Sequence, residues 1–327
     1  MSARRIPLNL YGIPFGIAGL AGVWLTAADE QYATVVVGEV LAAMGAVAWV
    51  VVSVCYLRYI CGAPRALRAD LTDPVLSPFA ALFTVTPMLL AAEALTRYAR
   101  TPATVLVDVF LALTFVLGAW FTGQWIYGPL EVHNLHPGYF LPTVAGGFVA
   151  AGSAGAVGQH RLAWVMFGLG FVCWVILGSM ILGRLFFGPP LPAPLVPTLA
   201  IEVAPAAVAS VAYFAIHGPR IDGLAAGLAG YGVLMVGAQV RLVPLYARLP
   251  FMSGLWAFTF SWAAVVNATL HWIDQQRPPG HQAYVYALLI VITLSYLAVG
   301  ARTAVALARD ELLPRPPEHT VTPATRR

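Results

Sequence analysis

An all-α polytopic membrane protein of ten transmembrane helices, arranged as five helical hairpins, is the fold class this sequence predicts. Three observations predict it. Hydrophobic residues make up 60% of the 327 and charged residues 10%, with a mean hydropathy of +0.79, whereas a soluble domain carries about 25% charged residues. Apolar runs of about 20 residues, the length that crosses a bilayer, recur ten times. Four of the alternate runs hold a proline: Pro14, Pro87, Pro142 and Pro205.

The first run, near 10–28, follows Arg4 and Arg5 and ends near Ala27 and Ala28, the outline of a signal peptide; Pro14 and the many glycines favour a retained helix instead. The second run, near 34–60, is followed by a turn-rich stretch from Gly62 to Pro74, and the third lies near 76–97 around Pro87. The fourth, near 104–127, leads into a loop from Gly128 to His136, and the fifth, near 138–157, carries Pro142. The sixth and seventh lie near 162–186 and 196–216, separated by Gly188 to Pro194, with Pro205 inside the seventh. The eighth, ninth and tenth lie near 222–246, 252–273 and 281–308, with turn residues at Gly218 to Asp222 and Arg277 to Gly280. The connections leave no room for a separate soluble domain. Residues 1–313 are therefore expected to form one transmembrane channel domain, and 314–327, with Pro314, Pro316 and Pro317, a disordered cytoplasmic tail.

Every one of the 18 basic residues is arginine, a pattern that, with the abundant Ala, Gly and Pro, fits GC-rich bacterial coding and a bacterial inner membrane. With the N-terminus cytoplasmic, 13 of the 18 arginines fall on that side, so both termini are expected inside. The net charge of +4 is spread over helix ends, and no basic cluster interleaved with aromatics points to nucleic acid.

The prolines set the architecture. A proline in a helix interior removes one backbone hydrogen bond and kinks the helix, and broken backbone at membrane depth is tolerated where it is packed or lines a cavity. Runs one, three, five and seven carry one, and runs two, four, six, eight and ten are read as having none. The expected arrangement is a pseudo-five-fold inner ring of kinked helices inside five straight ones. Five cylinders about 10 Å across leave a central pore of roughly 3.5 Å radius, which one side chain can close.

Polar residues within the runs are few. Cys55, Cys61 and Cys173 have no metal or redox spacing and read as small buried residues. Glu93 and Arg97, four apart, read as an interfacial ion pair with Asp108 nearby. His133 and His136 have a spacing a metal could use, with Glu131 as the one nearby carboxylate, and no metal or other cofactor is expected. His217, His271 and Asp274 fall at helix ends on the outer face. No inner run has a central arginine, so an anion would meet kinked backbone, helix-end dipoles and the hydroxyls of Thr84, Thr86, Thr143, Thr198, Thr259 and Ser261. Such weak sites favour larger, weakly hydrated anions. No nucleophile with a base, phosphate loop or dinucleotide fingerprint is present, which argues against an enzyme.

Five stretches carry a resemblance: Tyr11-Gly-Ile-Pro-Phe-Gly16, His136-Pro-Gly-Tyr-Phe-Leu-Pro142, Ile201-Glu-Val-Ala-Pro-Ala206, Gly230-Tyr-Gly232 with Arg241-Leu-Val-Pro244, and Gly254-Leu-Trp-Ala-Phe-Thr-Phe260. In order over the whole chain, they resemble the tellurite-resistance TehA family, which includes the slow anion channels of plant guard cells and, more distantly, fungal malate and sulfite transporters. The resemblance implies a homotrimer with a pore in each protomer, lined by the odd-numbered helices and blocked by a phenylalanine in the ninth, here Phe260. Small inorganic or carboxylate anions, chloride among them, and the lipid bilayer are the implied partners. The ninth run is the one inner run without a mid-run proline, and the estimated hole matches one aromatic ring. Gly12 matches a glycine of the first inner helix and would leave room for that ring, or else serve helix packing with Gly16. The expected pore lining is Gly12, Pro14, Pro87, Pro142, Thr143, Glu202, Pro205 and Thr259. Glu202 departs from the family pattern: an ionised carboxylate there would repel anions. It is read either as protonated or turned outward, or as the coupling site of a proton-linked carrier for C4-dicarboxylate, sulfite or tellurite-related oxyanions.

Overall fold

The computed structural model describes residues 5–128, 130–218 and 220–313; the tail expected at 314–327 lies outside them. Among the described residues every regular element is helical. The α-helices are α1 (Gly12–Asp29), α2 (Val35–Gly62), α3 (Ala66–Thr72), α4 (Ala81–Glu93), α5 (Arg100–Tyr127), α6 (Gly146–Ala156), α7 (His160–Phe187), α8 (Ala204–His217), α9 (Gly223–Tyr246), α10 (Trp256–Gln276) and α11 (His281–Ala308). Each of the ten apolar runs holds one of them. The short α3 is additional and is tied to the N-terminal arm by Arg5, which donates to Asp70 at 2.8 Å and Asp73 at 3.2 Å.

Among the described residues eight helical spans are long and apolar enough to cross a membrane. The exceptions belong to the fifth and ninth runs. The fifth breaks into a 3₁₀ turn (Pro137–Phe140), a π turn (Leu141–Ala145) and the 11-residue α6. The ninth, α10, carries Asn267, His271 and Asp274 in its second half.

Burial divides the spans into two classes. In Leu8–Asp29, Ser77–Arg97 and Ala193–His217 the most apolar stretch is 72%, 56% and 78% buried, against 17–28% in the spans containing α2, α5, α7, α9 and α11. The second class points rows of Val, Leu, Ile and Phe outward, as lipid-facing helices do. Contacts among the inner helices run from α1 to α4, α6, α8, α10 and back to α1, and each packs on the outer helix that follows it in sequence.

The inner elements share a joint that their prolines mark only in part. Each enters its α-helix through a non-α turn, 3₁₀ in Leu8–Tyr11, Ser77–Ala80, Ala193–Val203 and Ser253–Leu255, and 3₁₀ followed by a wider π turn in Pro137–Ala145. Pro14 and Pro205 sit in the first turn of α1 and α8, where a missing N–H costs little, and Pro142 sits in the π turn; of the four, only Pro87 lies in an α-helix interior. The ninth run has the same joint without a proline. The even runs are not free of proline either: Pro244 lies in the last turn of α9, where a kink displaces only the helix end. Cys55 and Cys61, expected to be buried, are exposed, because α2 is an outer helix, and Cys173 is half-buried.

Candidate functional site

All five inner elements wall one cavity with two parts. The narrow part, about 80 Å³, is lined mainly by apolar side chains, including Phe15 of α1, Leu89 of α4, Phe140 of the turn before α6, Phe148 of α6, Ile201 of the stretch before α8, Pro205 of α8 and Phe260 of α10. It continues into a vestibule of about 650 Å³, since Leu89, Glu93, Phe148, Val208 and Asn267 line both. The vestibule widens toward the C-terminal ends of the inner helices and is rimmed by the exposed Asp29, Arg97 and Gln275.

The narrow part is an aromatic constriction placed by the joints. Phe15 follows Pro14 in the first turn of α1, and Phe260 lies one turn into α10. Their ring centroids are 5.0 Å apart and tilted by 49°, a contact of the kind that adds about 0.5–1.5 kcal/mol beyond area burial. Phe15 lies in a quoted family stretch but drew no role of its own from the sequence; the partner of an expected gate was its only signal.

Of the expected site residues, the gate Phe260 and the lining residue Pro205 border the cavity, and the others are not among its lining residues. Gly12 faces α10: a Cβ there would lie 3.3 Å from that of Trp256, so its small size serves the α1–α10 contact rather than a ring in the cavity. Thr259 fills the same contact, with its Oγ1 donating to the Trp256 carbonyl at 2.7 Å. Thr143 faces outward to Cys173 of α7 and to Gly118 of α5. Pro14, Pro87 and Pro142 line neither part.

The other expected hydroxyls also miss the cavity. Thr84, Thr86 and Thr198 donate to carbonyls of their own helix, at 3.0, 2.6 and 2.6 Å, the local pairing hydroxyl side chains favour in apolar surroundings. Ser261 is buried but is not part of the lining. Glu202 turns outward: it lies in the 3₁₀ stretch Ala193–Val203, in which each residue advances about 120° around the axis, and there Ile201 takes the cavity face. The Glu202 carboxyl interacts electrostatically with Tyr231 and Tyr246 of α9.

Polar groups of the vestibule include Glu93 and Arg97, read from the sequence as an ion pair, and His271 and Asp274, read as helix ends on the outer face. The expected Glu93–Arg97–Asp108 arrangement does not form. Helix α4 stops at Glu93, and the 3₁₀ turn Leu95–Arg97 carries the arginine away from the α-helical i,i+4 position. Arg97 instead pairs with Asp29 and donates from Nε to the Glu93 carbonyl at 3.0 Å, while Asp108 accepts from Gln159 at 2.8 Å. His271 pairs with Glu30 at 3.0 Å, and Asp274 with Arg277 at 3.2 Å. The Glu93 carboxyl projects over Gly22 into the cavity. His133 pairs with Glu131, while the buried His136 turns the other way, to the Val75 carbonyl. Among the described residues no cluster of three or more His, Cys, Asp or Glu suits a metal.

Residues 5–304 match the profile of the SLAC1 family, described as voltage-dependent anion channels. Among similar proteins, the tellurite resistance protein TehA homolog of Haemophilus influenzae is 29% identical over 306 residues, covering 90% of this chain and 92% of its own length. The guard cell S-type anion channel SLAC1 of Arabidopsis thaliana is 25% identical over 308 residues, 90% of this chain and 53% of its own length. The S-type anion channel SLAH2 of the same plant is 25% identical over 321 residues, 95% of this chain and 61% of its own length. The chain thus spans little more than half the length of the plant relatives.

Proposed function

Because the chain belongs to the SLAC1 family of voltage-dependent anion channels, we propose that its central cavity is a passive anion pathway held shut by Phe260. The observation that carries this reading is the constriction itself, where the Phe260 ring meets Phe15 across a passage walled by every inner helix. An apolar constriction of this kind excludes hydrated ions by dewetting, and among the described residues no fixed cation lines it to trap an anion that enters. Small inorganic anions are the permeant class, passing between the vestibule and the 3₁₀ ends of the inner helices.

The finer architecture goes with this reading: ten transmembrane helices in five hairpins, both termini cytoplasmic, and a homotrimer of independent pathways in a bacterial inner membrane. A proton-coupled dicarboxylate or oxyanion carrier is the weaker reading, because its ground was Glu202, and that carboxyl faces α9. Replacing Phe260 with Ala is expected to raise anion flux through protein reconstituted in liposomes by at least about tenfold, from the loss of the steric and dewetting barrier. Unchanged flux with normal insertion would refute the gate.

A further inference from the structure

Four carboxylates line the vestibule: Asp29, Glu30, Glu93 and Asp274. Three are paired with a basic side chain, Arg97, His271 and Arg277 respectively. Glu93 has no side-chain hydrogen bond or ion pair among the described residues, and its Oε2 is inaccessible and unpartnered. It is also the one of the four that lines the narrow part as well. The gap over Gly22 accommodates it: a Cβ there would lie 2.5 Å from Oε1 and 2.6 Å from Oε2. Asn267 of α10, 7% exposed with its Oδ1 unpartnered, lines the same stretch of cavity.

The charged groups around Glu93 are accounted for. From α4 and its following turn, Arg97 acts electrostatically while held by Asp29; from α1 come Asp29 and Glu30; from α10, His271 and Asp274. Among the described residues the α6 and α8 walls add no ionisable side chain to the cavity, Ser153 being the polar residue of α6 there. On α5, Asp108 is held by Gln159, and Arg100 donates to the Val157 carbonyl; Glu39 of α2 is held by Tyr98.

We propose that Glu93 makes anion passage proton-dependent: ionised, it bars anions from the narrow part, and protonated, its O–H donates to the passing anion beside the Asn267 amide. The proposal rests on the cavity being the anion pathway. Like charges a few ångströms apart repel strongly enough, at an effective dielectric constant of about 20, to slow passage more than a hundredfold. Removing the charge lifts that barrier, and the O–H and amide N–H groups replace part of the anion's hydration shell. Flux should therefore rise as pH falls.

The test uses the full chain in liposomes, with Phe260→Ala as the open background, Cl⁻ as the probe and pH stepped from 8 to 5. The expected result is a rise of at least about tenfold on acidification, and an F260A/E93Q double variant that is fast and flat with pH. The Glu93→Asp variant in the same background keeps a carboxyl and should keep the acid activation, which separates loss of the proton site from misfolding. Acid activation that survives Glu93→Gln, or flux in the background variant that ignores pH, overturns the proposal. Failure of F260A to conduct at any pH refutes the pathway itself.

Discussion

The inner helices have two unlike ends. At the N-terminal end each begins in a 3₁₀ or π turn, tightly packed, with the hydroxyls of Thr84, Thr86, Thr198 and Thr259 bonded to carbonyls of their own element. At the C-terminal end regular α-helices diverge around an open vestibule. The two acids on inner elements that the sequence placed within apolar runs divide between these ends. Glu202 lies in a tight stretch and faces α9; Glu93 closes an α-helix and faces the cavity. The contrast teaches that helix type, more than depth along a run, decides which face a polar residue reaches, because the turn angle is about 120° per residue in one and 100° in the other.

The largest effect that would sharpen this comparison is an acid sensitivity of the tight end. His136 caps Pro137–Phe140 from within the core, its Nδ1 accepting from the Gly138 N–H at 3.1 Å and its Nε2 donating to the Val75 carbonyl at 3.2 Å. Both bonds suit the neutral ring, and burial pushes its pKa down to about 4, the Val75 contact opposing the shift. The unfolded imidazole titrates near 6.5, so between 6.5 and 4 the unfolded chain binds more protons. This stabilisation is complete above pH 6.5 and is lost as pH falls to 4, amounting to about 3 kcal/mol. Thermal unfolding of detergent-purified protein at pH 7 and 4.5 should show a larger acid-induced drop in Tm for wild type than for His136→Asn. Equal drops would mean that the ring is not held neutral by the fold.

A smaller effect is expected at the open end from Gly22→Ala. The new Cβ cannot share the space now held by the Glu93 carboxyl, so the side chain must swing further into the passage. In the open background, flux at pH 8 should fall about threefold through added repulsion, while flux at pH 5, with the carboxyl neutral, changes little. An equal loss at both pH values would assign the effect to helix displacement and would weaken the contrast between the ends.

How much of this was legible from sequence follows the same division. The ten helical runs and the separation of inner from outer helices could be read from apolar length and alternate prolines, because lipid enforces both. Phe260 and Pro205 were placed on the cavity side. Gly12, Thr143 and Thr259 were not, since a single face cannot be tracked through a joint where the turn angle changes. Glu93 was assigned to Arg97 by i,i+4 spacing, a rule that fails where α4 gives way to a 3₁₀ turn just after it. Pro14 and Pro205 looked like kinks because they lie inside apolar runs, but the α-helices begin only at Gly12 and Ala204, so both prolines fall in a first turn.

The smallest expected effect is the most discriminating between the two acids. Glu202→Gln removes the charge the carrier reading depended on while preserving shape and hydrogen-bonding capacity. Its Oε1 is buried without a partner, and its surroundings are Tyr231 and Tyr246 on an outer helix, away from the route an anion would take. Anion flux in the open background, and its dependence on pH, should therefore stay within about twofold of the parent, as substitutions outside a site usually do. A pH gradient should drive no anion accumulation in either protein. Accumulation by wild type that disappears in Glu202→Gln would reverse the comparison, making the tight end the coupling site and Glu93 a bystander.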